Sequence, residues 1–307
     1  MSDGFPKQAK ESEGGFTSYQ ERIDANKIRS RSKSFLDHFS QATLFYNSQS
    51  DAEKNHIINA LRFELGKVDI QAIRERMVGV LSQIDKDLAT KVAEGLGINV
   101  PKPSEPINHQ FGADDDPKDF QPINVSPKLK KSPALSMNNN KGDGSIKTRQ
   151  IAFLTANGVD GVSLETMKKA LENEGAMVKI VGPNASLIKT NDGKDIKVDK
   201  SFLTCSSVLF DAVFVPGGEE SLKTLKGLPD AIHFIDEAYL HCKAIAANGE
   251  GRQLIESSYV APKLKKDTAS LGLIVSDKAD KKFTNDFIKA IAAHRFFGRE
   301  KGDKVPA

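Results

Sequence analysis

Tryptophan is absent from this 307-residue chain, and cysteine occurs only twice, at Cys205 and Cys242. Two thiols are too few for a disulfide framework or a zinc cluster, and a reducing, cytoplasmic setting is the simplest reading. Aromatic side chains make up 7% of the residues, a thin supply for a base-stacking platform. Neither sign of charge dominates: 44 basic side chains stand against 41 acidic ones, for a net charge of +3. That balance gives no strong pull toward nucleic acid or an anionic membrane surface. No apolar run approaches the roughly 20 residues of a membrane-spanning helix. The opening stretch MSDGFPKQAKESEGGF lacks the apolar core of a secretory leader. What is present, 38% hydrophobic and 28% charged residues, suits two soluble globular domains with polar connections.

Residues 1–34 are polar and read as an extended arm. Within them KIRSRSKSF has the composition of a phosphate-binding patch, although a solvated arm accounts for it as well. Residues 35–99 have helical patterning. Ser50 followed by Glu53 fits a capping box. Behind it Ile57, Ile58, Leu61 and Leu65 share one helix face. A second run carries Ile70, Ile73, Met77, Leu81 and Ile84, and a third carries Leu88, Val92 and Leu96 before stopping at Gly97. Three short amphipathic helices bury little by themselves, so this module is expected to pack against something larger. Residues 100–148 contain seven of the 13 prolines and read as a linker, parts of which could lie along a neighbouring surface.

Residues 149–307 alternate strand and helix. Strands are expected at 150–156, 176–182, 211–218, 243–247 and 271–276, with a hairpin over 187–199 turning at Asn191-Asp192-Gly193. Helices are expected at 163–175, 231–242 and 285–297. The alternation implies a parallel α/β sheet covered on both faces.

In such sheets ligands bind at the carboxyl ends of the strands. Those ends are TANGVDG (155–161), VPGGEE (215–220) and ANGEGR (247–252), which would bring Asp160, Glu219, Glu220, Glu250 and Arg252 near one crevice. A hydrolytic site needs a nucleophile with a base in reach, and the turn Asn248-Gly249-Glu250-Gly251 contains neither Ser nor Cys. Tight strand-to-helix geometry explains its glycines equally well. Cys205 and Cys242 fall outside the turn. His233 and His241 belong to the helix before it and read as surface or packing residues. The phosphate-loop pattern is missing, since no Gly-Lys-Ser/Thr follows the glycines. The acidic run Asp114–Asp116 lies in the linker and reads as solvated rather than metal-binding.

Two stretches taken together resemble a known family. RSRSKSFLDHFSQATLFYNSQSDAEKNHIINALRFELGKV (29–68) resembles the helical segment that follows the haem barrel in monofunctional catalases. GGFTSYQERIDANKIRSRS, overlapping its start, is similar to the wrapping segment of the same family. Residues 149–297 resemble the flavodoxin-like C-terminal domain of large-subunit catalases, which is related to class I glutamine amidotransferases and PfpI-like proteases. The resemblance implies a flavodoxin-like parallel-sheet domain preceded by a small all-α segment. It implies haem as the cofactor of the full-length family, hydrogen peroxide as substrate, and a catalase barrel or the subunits of a homotetramer as partners. Unfolded chains are a second class of partner that it brings.

The family's haem site does not map onto this chain. The resemblance calls for a distal His and Asn and for a proximal Tyr in an Arg-x-x-x-Tyr arrangement. None of Tyr19, Tyr46, Tyr239 and Tyr259 has Arg four residues before it. No haem ligand and no metal ligand is therefore assigned here. On this reading the chain is the C-terminal part of a large catalase, a fragment or a split product, inactive alone and structural in role. A working catalase with a separately supplied barrel is one alternative, and a residual PfpI-like hydrolase is another. In the PfpI-like relatives the elbow after such a strand carries a reactive cysteine. Aligning IAANGEG on that elbow puts Gly249 at the cysteine's position, followed by Glu250. The relatives also use a carboxylate from the first strand-to-helix turn, and Asp160 stands near that position but offset from it. The implied elbow is vestigial.

Overall fold

Ser50 starts its helix as the pattern requires. Its hydroxyl accepts the Glu53 N–H at 3.4 Å, and the Glu53 carboxylate accepts the Ser50 N–H at 2.8 Å. These two bonds satisfy donors that a helix start otherwise leaves open. The structure, a computed structural model, describes residues 9–16, 18–26, 31–125, 128–139, 143–265 and 268–301. Lys27–Ser30 of the basic arm motif lie outside the described residues. The described residues at 9–26 are exposed or nearly so.

The helical unit comprises α1 (Ser40–Ser48), α2 (Asp51–Gly66), α3 (Gln71–Leu81) and α4 (Lys86–Leu96), one helix more than the sequence pattern indicates. Asp85 caps α4 through the Leu88 N–H at 2.8 Å, and Gly97 ends it with φ +67°, a left-handed conformation that favours glycine. The core contains Tyr46, Ile58, Leu65, Val78, Leu81, Leu88 and Val92. One expectation fails. Ile70, Ile73 and Met77 of the second apolar run are 60%, 42% and 41% exposed. Helical spacing defines a face but not its direction. Val78 and Leu81, three residues apart on α3, point inward, and the neighbouring 70–73–77 row turns out.

The proline-rich segment is tied to this unit. Ser136 Oγ and the Met137 N–H donate to the Glu53 carboxylate at 2.8 and 2.7 Å, and Asn138 Nδ2 donates to Ser50 Oγ at 2.7 Å. Burial opposes the charge on Glu53. The donors from Ser50, Ser136 and Met137 outweigh it and hold the carboxyl below its ordinary pKa. One cap carboxylate thus starts α2 and anchors Ser136 and Met137 across it.

From Gln150 the chain builds a six-stranded parallel sheet in the order β5-β2-β1-β6-β7-β8. The strands are β1 (Gln150–Leu154), β2 (Met177–Gly182), β5 (Lys200–Ser201), β6 (Ala212–Val215), β7 (Ala244–Asn248) and β8 (Leu273–Ser276), and β3 (Leu187–Lys189) pairs with β4 (Asp195–Lys197) in a separate hairpin. All four residues of β6 and all five of β7 are buried, as expected for strands covered on both faces. The helices α5 (Gly161–Asn173) and α9 (Lys281–Ala292) cover one face, and α6 (Glu219–Lys226), α7 (Pro229–Leu240) and α8 (Arg252–Glu256) cover the other. The helices α6 and α8 were not foreseen, being too short to show a period. The closing helix is Lys281–Ala292 rather than 285–297, because Asp280 caps it through the Phe283 N–H at 2.8 Å. The helix expected from Ser163 starts at Gly161 because Asp160 caps it.

This is a flavodoxin-like α/β layer. Its strand order reverses between β1 and β6, so the crevice lies at the carboxyl ends of those strands. The sheet's two cores and the core of α1–α4 are separate clusters. Ile146 is 2% exposed and belongs to the sheet's core, so an independently folding unit must begin before it. We expect a polypeptide of residues 143–301 to unfold in one cooperative transition without residues 1–99. A broad, noncooperative melt by circular dichroism would contradict this.

Candidate functional site

The three strand ends meet as the topology requires. The Asp160 N–H donates to the Gly217 carbonyl at 2.8 Å, tying the loop after β1 to the loop after β6. The Gly218 N–H donates to Glu250 Oε2 at 3.0 Å, tying the loop after β6 to the turn after β7. These loops approach too closely for side chains. A Cβ on Gly218 would stand 2.4 Å from the Gly158 carbonyl oxygen, and one on Gly251 the same distance from that of Val215. Glycine at these two positions is a packing requirement.

The acids named from the sequence have local tasks. Asp160 Oδ1 accepts the Val162 and Ser163 N–H groups at 3.0 and 3.3 Å, as the cap of α5. The Gly218 N–H and its own backbone N–H hold Glu250 below its ordinary pKa, against a smaller effect of burial. It is therefore a carboxylate at neutral pH. Its position matters for the chemistry: a backbone N–H beside an elbow is the kind of donor that would stabilise an oxyanion, and here the chain's own carboxylate occupies it. Arg252 pairs with Glu256 along α8 at 2.8 Å. Glu219 and Glu220 form the first turn of α6, and Glu220 lies against Gly158.

Gly249 has φ +52°, the left-handed backbone of a sharp strand-to-helix turn. A Cβ there would meet only Gly217 Cα at 3.7 Å and the Asp277 carbonyl oxygen at 3.8 Å, which are ordinary contacts. No hydroxyl or thiol is supplied by residues 247–252. Cys205 and Cys242 are buried, and burial pushes the Cys205 thiol up, with Lys200 pulling weakly the other way. His233 is exposed on α7, and His241 at its end lies 3.4 Å from Glu237. The linker acids also act locally. Asp115 accepts the Gly112 N–H at 2.8 Å, and Asp116 accepts that of Lys118 at 3.0 Å. Among the described residues no group of three or more His, Cys, Asp or Glu could hold a metal ion.

One site contact escaped the sequence reading. Ser163 Oγ donates to Asn248 Oδ1 at 2.6 Å, with both residues buried. The available signal was Asn248 itself, a polar residue ending an apolar strand, which must find a partner if buried.

Fold and site together define a doubly wound α/β domain with a glycine turn after β7 and a helical unit before it. Residues 147–301 match the family described as the C-terminal domain found in long catalases, and residues 32–96 match one described as catalase-related immune-responsive. The chain belongs to the family of the long-catalase C-terminal domain. It is 41% identical to Catalase HPII of Pseudomonas putida over 312 residues, covering 100% of this chain and 40% of that protein. It is 38% identical to Catalase-2 of Bacillus subtilis, covering 97% of this chain and 39% of the relative. For Catalase-B of Dictyostelium discoideum the figures are 36%, 100% and 42%. The chain thus spans about two fifths of the length of these relatives.

Proposed function

We propose that this chain is the non-haem, structural portion of a large-subunit catalase. It stabilises the part of the subunit that disproportionates hydrogen peroxide to water and oxygen, and it takes no chemical part in that reaction. The observation that carries this reading is the outward apolar row along α3 and its N-cap residue Ile70. Ile70, Ile73 and Met77 are exposed, and so is Phe63 of α2 at 65%. Apolar side chains gathered on one small unit mark a surface that another body covers. The partner is a catalase barrel, within the subunit or in an assembled tetramer. Binding of unfolded chains through the same row is a secondary role. Haem is assigned to the barrel, because none of the four tyrosines stands in the Arg-x-x-x-Tyr arrangement that the resemblance calls for. No helix among the described residues is long and apolar enough to cross a membrane, and the cytoplasmic setting is proposed on the two free cysteines.

The test uses the isolated chain. Titrated with haem, it is expected to develop no stoichiometric Soret band, and oxygen release from peroxide should stay at the level of free haem. Stoichiometric haem uptake with rapid oxygen release would show that the chain carries its own catalytic site and would overturn the reading.

A further inference from the structure

The amino-terminal edge of the sheet, opposite the turn after β7, carries a cluster of cationic side chains. Lys243 immediately precedes β7 and is 3% exposed. Its ammonium donates to the Ser207 carbonyl at 2.5 Å, and among the described residues its other two N–H groups have no partner. Arg295 follows α9. Its Nη1 reaches the neighbouring His294 carbonyl at 3.0 Å and His294 Nδ1 at 3.4 Å, while Nε and Nη2 are unpaired among the described residues. Both side chains line a cavity of about 270 Å³ between α2 and the sheet edge, with His241 and His56 beside them and Val208 and Phe297 as apolar wall.

Two cations facing one cavity, one of them buried, raise the question of the missing anion. An ammonium withdrawn from water is costly unless it is paired. The nearby carboxylates already have partners. Glu237 lies 3.4 Å from His241. Asp211 takes Arg149 at 3.1 Å and the Gln150 N–H at 2.9 Å. Burial, and next the charge on Arg295, pull the Lys243 ammonium down to about 8 despite Asp211 and Glu237.

We propose that this cavity binds a small phosphomonoester, whose phosphate pairs with Lys243 and Arg295 and whose organic body lies against Val208 and Phe297. A planar guanidinium beside a point-charge ammonium is a common arrangement for phosphate oxygens. The volume exceeds what one phosphate fills, and the apolar wall gives the surplus a use. His56 comes from α2, and its ring stands 5.8 Å from that of Phe297. Occupancy therefore bridges the helical unit and the sheet domain.

Calorimetric titration of the full chain with phenyl phosphate, inorganic phosphate and sodium chloride at matched ionic strength tests the site. The expected result is saturable binding of phenyl phosphate, weaker binding of inorganic phosphate and none of chloride. Arg295→Gln, at a half-buried position, should weaken phenyl phosphate by about tenfold or more, the loss of one charge-assisted pair. Lys243→Met keeps the side-chain volume and should do the same. Equal affinity in the folded Arg295→Gln variant, or a response reproduced by chloride alone, would overturn the proposal.

Discussion

Gly249→Cys should yield a thiol that reacts with a disulfide reagent on the order of a hundredfold faster than Cys205 or Cys242. The turn has room, since the new Cβ would meet nothing closer than 3.7 Å. Its cost is backbone strain, about 1–2 kcal/mol for an L-residue in the left-handed region. The advantage in rate comes from access. Cys205 and Cys242 are 8% and 1% exposed and react only when the structure opens, and a local opening of about 3 kcal/mol alone gives such a factor. Residue 249 is partly open to solvent. A low thiol pKa is not expected, because the carboxylate of Glu250 follows directly and α8 spans only five residues. The wild-type protein should show no labelling at the elbow by peptidase or amidotransferase probes. A wild-type hydrolase activity abolished by Glu250→Gln would contradict the vestigial reading and make the elbow a working site.

The second large effect is on stability. Phe214→Ala should destabilise the sheet domain by about 3–5 kcal/mol, the usual cost of deleting a fully buried aromatic ring. Phe214 is 0% exposed in the central strand β6. Its ring meets Phe153 edge-on at 4.8 Å and lies 6.1 and 6.2 Å from Phe283 and Phe287 of α9. The cavity would lie where β1, β6 and α9 meet, and a close-packed centre relaxes only partly. For a domain of this size the melting temperature should fall by roughly 10 °C. A loss below about 1 kcal/mol in denaturant titration would mean that the site collapses freely and that the aromatic cluster is not the rigid centre described.

The buried strands β1, β2, β6 and β7 were legible because continuous apolar runs between glycine turns have few other readings. The capping box at Ser50 and Glu53 was legible because its spacing is local. The direction of the α3 face was not, because period alone does not choose between Val78 with Leu81 and the adjacent row of Ile70, Ile73 and Met77. That choice depends on α4, a tertiary partner. The helices α6 and α8 escaped notice because eight and five residues give no period to detect. That residues 247–252 hold neither Ser nor Cys was plain from the sequence, but the engagement of Glu250 with the Gly218 N–H across 32 positions was not, because it depends on how closely two glycine turns approach. The cation cavity was also hidden: His56, Lys243 and Arg295 come from three distant stretches, and only the fold brings them together.

The central claim is that the chain stabilises a catalase barrel through its outward apolar row. The most direct measurement is the thermal inactivation of peroxide decomposition by the barrel portion of a long catalase, with and without this chain. The chain is expected to co-sediment with the barrel and to lengthen its half-life on heating by about tenfold, the effect of roughly 1.4 kcal/mol of added stability. The variant carrying Ile70→Glu, Ile73→Glu and Met77→Glu, which alters exposed positions only, should fold normally and lose that protection. Protection by the triple variant equal to that of the unaltered chain, or no association by either, would contradict the account.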